Sequence, residues 1–171
     1  YDYGEGTMSP SGYPLTTRKW SRGTKLEDAT EIFRGEPTDV SAGGSFYYDK
    51  DEKYAMFYRM ATFNDIEYYY WFEGDKDLTK VKWIASSCRI QTFKKKVLIM
   101  PKEVWSFGGK VYKAGSLLSC DFETFVKEGH LDAVFLGAGA RTVGEEPKCD
   151  IQILYEPAND RCAYEGATDS R

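Results

Sequence analysis

Apolar and polar positions along this chain come in short runs separated by turn residues. The first run is Tyr13 to Trp20, followed by "TEIF" ending at Gly35 and by "SFYYD". Longer runs are "KYAMFYRMATF", Lys53 to Phe63, and "DIEYYYWFEG", Asp65 to Gly74. "LTKVKWIA", "CRIQTF" and "KVLIMP" come next, then "KVY", "SLLSCDF", "LDAVFL", "CDIQILYE" and "RCAYEG". Many short strands at near-regular spacing predict an all-β sandwich, barrel or propeller.

Turn chemistry agrees with tight connections. "FGGK", Phe107 to Lys110, has the Gly-Gly pair that a hairpin turn with positive φ requires. "AGG" at 42 to 44 is read in the same way, and "YEPAND", with Pro157, Asn159 and Asp160, predicts a longer loop. Helix signals are few. Thr24 with Glu27 three residues later forms a capping-box pattern. Phe122, Phe125 and Val126 have the spacing of one apolar helix face, with a glycine after it. Each predicts a turn or two of helix, and no βαβ rhythm is present.

The aromatic run "YYYWF", Tyr68 to Phe72, raises a choice. In a strand, Tyr68, Tyr70 and Phe72 share one face and Tyr69 and Trp71 the other. One reading is a strand buried on both sides. The other is a partner-binding face, with Tyr68, Tyr70 and Trp71 as the protein-contact residues.

The 171 residues suit one domain, 1–171, large enough to bury a core. An aromatic content of 16% argues against disorder, and 13 Tyr with 10 Phe favour strands. The net charge of −4 disfavours a nucleic-acid partner, which wants a basic stripe. The dense basic run, Lys94 to Lys96, reads as a solvated turn or guarded edge. No apolar run reaches the length of a membrane span, so a soluble chain without membrane insertion is expected, its compartment open. The first residue is Tyr1 rather than Met, which suggests a processed, trimmed or partial product.

Candidate chemistry is sparse. Cys88, Cys120, Cys149 and Cys162 lie far apart, and one His is present, so no zinc pattern arises and no metal or cofactor is expected. An even count permits two disulfides. Strand-like surroundings favour reduced, buried thiols. No GxSxG occurs, and His130 lies in a turn, "KEGHLDA". "GEGTM" and "GAGAR", Gly137 to Arg141, do not complete GxGxxG. "DKDEK" lacks the spacing of a calcium loop. The acidic groups Asp49, Asp51 and Glu52, and Glu145 with Glu146, read as solvated faces. No catalytic residue is assigned.

Two blocks carry a family resemblance. The first is "DYGEGTMSPSGYP" followed by "RKWSRGTKLEDATEIFRGEPTDVS"; the second is "VWSFGGKVYKAGSLLSCDFETFVKEG". Together they resemble the propeller region of prolyl-oligopeptidase-like proteins of the S9 type, in order and spacing, across roughly residues 2 to 136. Leu15, Cys120 and the segment after Gly137 depart from that pattern. The resemblance implies blade construction: turns, strand ends and a Trp packed between sheets. In that family the propeller gates a separate α/β-hydrolase domain that holds the Ser, Asp and His. No such residues carry over to this chain.

Blades need about 40 to 50 residues and closed propellers about four to eight blades, so this length builds roughly three to four. The expected fold is therefore all-β, a partial, open β-propeller of antiparallel blades with one or two very short helices. An open stack leaves sheet faces and edges for a protein partner or for self-association. Three functions follow. The first is a non-catalytic structural or scaffolding module. The second is the substrate-gating propeller segment of a prolyl-oligopeptidase-like serine peptidase. The third is an aromatic-lined small-molecule carrier.

Overall fold

A computed structural model describes residues 2–49, 52–93, 95–127 and 149–158. It is all-β, apart from one short α-helix and one 3-10 turn among the described residues. The sheets are antiparallel: two have four strands and two have two. Antiparallel four-stranded meanders are the unit of a propeller blade, so the expectation of a partial, open propeller holds. No sheet closes on itself among the described residues. The chain divides into two compact units, Tyr1–Lys80 and Val81–Arg171.

In the first unit, β1 (Thr16–Lys19) pairs with β2 (Thr30–Arg34). The sheet proper is β3 (Ser41–Asp49), β4 (Glu52–Thr62), β5 (Asp65–Phe72) and β6 (Thr79–Lys80), in that order. Register fixes its two faces. Phe46, Ala55 and Trp71 form one row, Gly44, Phe57 and Tyr69 the next, and Ala42, Arg59 and Glu67 the third. On this face Ala42, Ala55 and Phe57 are buried against Phe33, with Ile32, Phe46, Tyr69, Trp71 and Leu78 packed around them. The Phe33 and Phe57 ring centroids are 5.0 Å apart, and those of Phe33 and Tyr69 are 5.3 Å apart. Burying one such ring is worth roughly 1.5–3 kcal/mol.

Glycine at position 44 is a packing requirement. A Cβ there would meet the Phe57 ring at 2.2 Å and the Met56 carbonyl oxygen at 2.9 Å. The aromatic ring lies over the bare backbone of the facing strand and fills the space a side chain would take. The sequence reading of "AGG" as a turn is corrected here: these residues lie inside β3, paired with Arg59, Tyr58 and Phe57.

In the second unit the sheet order is β12 (Gln152–Tyr155), β11 (Leu117–Asp121), β8 (Lys96–Pro101) and β7 (Cys88–Phe93). The "FKKKV" run sits at the β7–β8 hairpin, with Lys94 itself outside the described residues. A separate hairpin of β9 (Trp105–Phe107) and β10 (Lys110–Tyr112) lies in sequence between β8 and β11. Its turn residues Gly108 and Gly109 have φ of 57° and 71°. Two consecutive positive φ angles match the twist of the flanking strands and exclude most other residues.

Helix α1 (Phe122–Lys127) follows β11 directly. Its start is built by Asp121, whose Oδ1 accepts from the backbone N–H of Glu123 at 3.1 Å and of Thr124 at 3.2 Å. Phe122, Phe125 and Val126 are buried, as their spacing predicted.

Three sequence expectations need correction. The Thr24–Glu27 capping box does not form. The short turn there is a 3-10 helix, Leu26–Asp28, without a side-chain cap, because the Thr24 hydroxyl donates back to the Ser21 carbonyl at 2.8 Å. "LTKVKWIA" yields only Thr79–Lys80 as strand; Val81, Trp83 and Ile84 are buried from irregular backbone. Trp20 is 46% exposed, and its indole N–H donates to the Thr24 carbonyl at 3.1 Å, so it closes a surface turn. "LDAVFL", "RCAYEG", "GAGAR", Asn159 and Asp160 lie outside the described residues.

Candidate functional site

Strand β5 carries the predicted contact residues. Its alternation is as the sequence requires, since Tyr68 pairs with Tyr58 and Tyr70 with Met56, while Trp71 pairs with Ala55 on the other face. Tyr68 and Tyr70 are 7% and 3% exposed. Trp71 is half-buried, with its ring 6.1 Å from Phe46 and its indole N–H donating to the Asp75 carbonyl at 2.9 Å. The strand is thus covered on one face and partly covered on the other. Of the three residues, Trp71 retains the most accessible surface.

The most polar constellation of the first unit begins one strand away and was not singled out from sequence. Asp39, 2% exposed in its side chain, receives two bonds from Arg59: Nε at 2.8 Å and Nη2 at 3.1 Å. Its Oδ2 also accepts from the Glu36 backbone N–H at 2.7 Å. Arg59 further faces Glu36 at 3.7 Å and Glu67 at 3.6 Å. Glu67 accepts from the Tyr69 hydroxyl at 2.8 Å and from the Lys80 ammonium.

Local sequence explains the placement. Arg59 and Glu67 share a register row with Ala42, so the small Ala42 leaves the two long side chains room above the sheet. Asp39 stands at the turn into β3, where its neighbour Val40 donates to the Met60 carbonyl at 2.8 Å. Position 39 is one of the residues of the family-like block. Arg59 is a charge within the otherwise uncharged run Tyr54–Thr62 of β4, which was the available signal.

Electrostatics follow from geometry. The Arg59 guanidinium holds the Asp39 carboxyl below its ordinary range, against the opposing effect of burial. Asp39 in turn pushes Arg59 further up. For Glu67, burial works to raise the carboxyl, but Lys80, Tyr69 and Arg59 together leave it lowered. Burial, then the bond to Glu67, pushes the Tyr69 hydroxyl up. Near neutral pH Asp39 and Glu67 are therefore carboxylates, Arg59 is charged and Tyr69 is protonated. The bonds from Asp39 to Arg59 and to the Glu36 N–H make the cluster a fixed ionic brace between the β2–β3 turn and the sheet.

The second unit is organised around rings. Trp83 lies 4.7 Å from Phe107 and 4.6 Å from Phe125, and Trp105 lies 5.2 Å from Phe107 and 5.5 Å from Tyr112. The Trp83 indole N–H donates to the Phe125 carbonyl at 2.9 Å, near the end of α1 where helix carbonyls lack intrahelical partners. Cys88, Cys120 and Cys149 are buried thiols, as read from sequence, while Cys162 lies outside the described residues. Burial pushes the Cys88 thiol up to about 12.

Among the described residues no group of three or more His, Cys, Asp or Glu side chains is placed to hold a metal ion. No described helix is long and apolar enough to cross a membrane. His130, Glu145 and Glu146 lie outside the described residues, and of the side chains of Asp49, Asp51 and Glu52 nothing is described.

Comparison with known proteins adds what the geometry cannot. No family model matches the sequence. An uncharacterized peptidase of Sinorhizobium fredii is 32% identical over 123 residues, which is 69% of this chain and 17% of that protein. A solved structure of a post-proline cleaving enzyme from Rickettsia typhi superposes with a TM-score of 0.69 at 19% identity. That match covers 91% of this chain and 21% of the enzyme chain. The chain therefore spans about a fifth of the length of each of these relatives. By sequence the chain is similar to a peptidase over most of its length, and by fold it is a partial, open propeller like part of a post-proline cleaving enzyme.

Proposed function

We propose that these residues form part of the substrate-gating propeller of a prolyl-oligopeptidase-like serine peptidase. The observation that carries this reading is the 32% identity to a peptidase over 123 residues, in a chain whose sheets also match those of a post-proline cleaving enzyme. Such a propeller supplies no nucleophile. Its blades form a rigid wall that limits access to a hydrolase site elsewhere in the polypeptide. Two features suit a rigid wall. An ionic brace stiffens the first sheet and an aromatic cluster fills the second unit, each holding strands and turns in a fixed register.

The scaffold reading shares the same fold but has no relative in its favour. The carrier reading required a closed, ring-lined barrel, and the described sheets are open. Coverage of the bare sheet edges by further parts of the same polypeptide fits the short span of the match, about a fifth of each relative.

Sequencing the open reading frame around this segment tests the proposal. The expected result is an in-frame hydrolase region with a GxSxG motif, whose full-length product cleaves a chromogenic proline-containing peptide. A reading frame with no hydrolase region, or a full-length product inert towards such peptides while its GxSxG serine reacts with an organophosphonate, overturns it.

A further inference from the structure

We propose that Cys120 and Cys149 form a redox-sensitive thiol pair, convertible by a small disulfide oxidant into an intramolecular disulfide that fastens the chain entering β12 to β11. The strand register brings them together. Leu118 faces Ile153 and Ser119 faces Gln152. Continued by one step, that register sets Cys120 opposite Ile151. Cys149 and Ile151 are buried and Asp150 between them is exposed, so Cys149 and Ile151 point to one side. Cys149 is then the diagonal neighbour of Cys120. Diagonal Cβ atoms in antiparallel pairs lie somewhat under about 7–8 Å apart, against about 4 Å in a disulfide, so closing the bond draws the chain entering β12 towards β11 by a backbone movement.

The thiols already interact. Cys120 and Cys149 share a side-chain hydrogen bond, and both are buried thiols. Cys88, by contrast, has its surroundings in the Ala85 turn and is no part of this pair. The other titratable groups around Cys120 are Asp121 on its own strand, Lys96 on β8 and Tyr112 on β10, with Asp150 beside Tyr112. The neighbouring thiol and burial hold Cys120 protonated. This keeps the pair reduced in ordinary thiol conditions and makes oxidation slow.

The step balances as thiol–disulfide exchange. Cys149, the more exposed at 9% against 2%, loses its proton and attacks one sulfur of the oxidant, expelling one thiolate. Cys120 loses its proton and attacks the Cys149 sulfur of the mixed disulfide, expelling the second thiolate. The pair gives up two electrons and two protons, and the oxidant is reduced to two thiols. The loop so closed joins β11 to the strand that forms the sheet's edge, whose Ile153, Leu154 and Tyr155 are 51%, 55% and 42% exposed. That edge has little burial of its own, so a covalent tie there bears directly on whether β12 stays docked.

The test is incubation of the full chain with oxidised glutathione, followed by proteolysis and mass spectrometry without reduction. The expected product is a chain lighter by two hydrogens, with one linked peptide pair containing Cys120 and Cys149. Its formation rate should rise with pH, as the thiolate fraction does. Tryptophan fluorescence should stay native throughout, and the urea midpoint of the oxidised chain should rise. Cys120→Ser should leave a stable glutathione adduct on Cys149, and Cys149→Ser should leave Cys120 unmodified. Should either variant fail to fold, the wild-type peptide map alone decides. A native chain that forms no link, forms only mixed disulfides, or links Cys88 or Cys162 instead overturns the proposal.

Discussion

Replacing Asp39 by Asn removes one charge from the brace and changes little else. The amide oxygen still accepts from the Glu36 N–H, now bonded at 2.7 Å. What disappears is the anionic partner of Arg59, bound at 2.8 and 3.1 Å by a carboxylate that is 2% exposed. Breaking a buried ion pair by removing one member costs about 3–5 kcal/mol. Arg59 is 23% exposed and keeps Glu36 and Glu67 within 3.7 Å, so water and these carboxylates recover part of that. The expected loss is about 2–3 kcal/mol, near the strength of two charge-assisted bonds. Urea denaturation followed by tryptophan fluorescence reads it. With a slope of about 2 kcal/mol/M, the midpoint falls by roughly 1 M.

Two further measurements isolate the cause. In a double-mutant cycle with Arg59→Met, the combined loss should be smaller than the sum of the single losses by about 1 kcal/mol or more. The pH dependence has a definite sign. The folded Asp39 carboxyl lies below its unfolded value, so its contribution is complete above an unfolded pKa of about 3.9 and fades as pH falls through the folded value. The gap between wild type and Asp39→Asn should therefore narrow on acidification below about pH 4. A loss under about 0.5 kcal/mol at neutral pH, or additive losses in the cycle, would refute the idea that this pair braces the β2–β3 turn.

Gly44→Ala forces a methyl group to within 2.2 Å of the Phe57 ring, and overpacking of this kind costs about 1–3 kcal/mol, readable as a lowered urea midpoint with an unchanged slope. Asp121→Ala removes the acceptor for two helix N–H groups, and the expected cost is about 1 kcal/mol, with Asp121→Asn restoring most of it. The Cys88 thiol, pushed up to about 12 by burial, should resist alkylation by iodoacetamide in the native chain and react after unfolding. Because its folded value is raised, its contribution to stability is complete below an unfolded pKa of about 8.5 and is lost as pH rises towards the folded value. Replacing it by Ala should flatten the alkaline limb of the stability curve.

Several features were legible because they are local. The alternation of "YYYWF" fixed which rings share a face, since strand side chains have a period of two. "FGGK" declared its hairpin through residues tolerant of positive φ, and Phe122, Phe125 and Val126 marked the buried side of α1 by helical spacing. Other features depended on distant partners and were misread. "AGG" looked like a turn, yet Gly44 sits mid-strand because Phe57, from the next strand, occupies its side-chain space. Trp83 looked like part of a strand, yet it is held by Phe125, 42 residues on.

Residue type and short-range periodicity were enough to establish an all-β chain, to place most of its strands and turns, and to show that it carries no GxSxG. The folded arrangement was needed to see that Asp39, Arg59, Glu67 and Lys80 meet in one ionic brace, and that Cys120 and Cys149 share a hydrogen bond. Those contacts join residues far apart in the chain, and strand register, which no single segment specifies, sets which side chains end up neighbours.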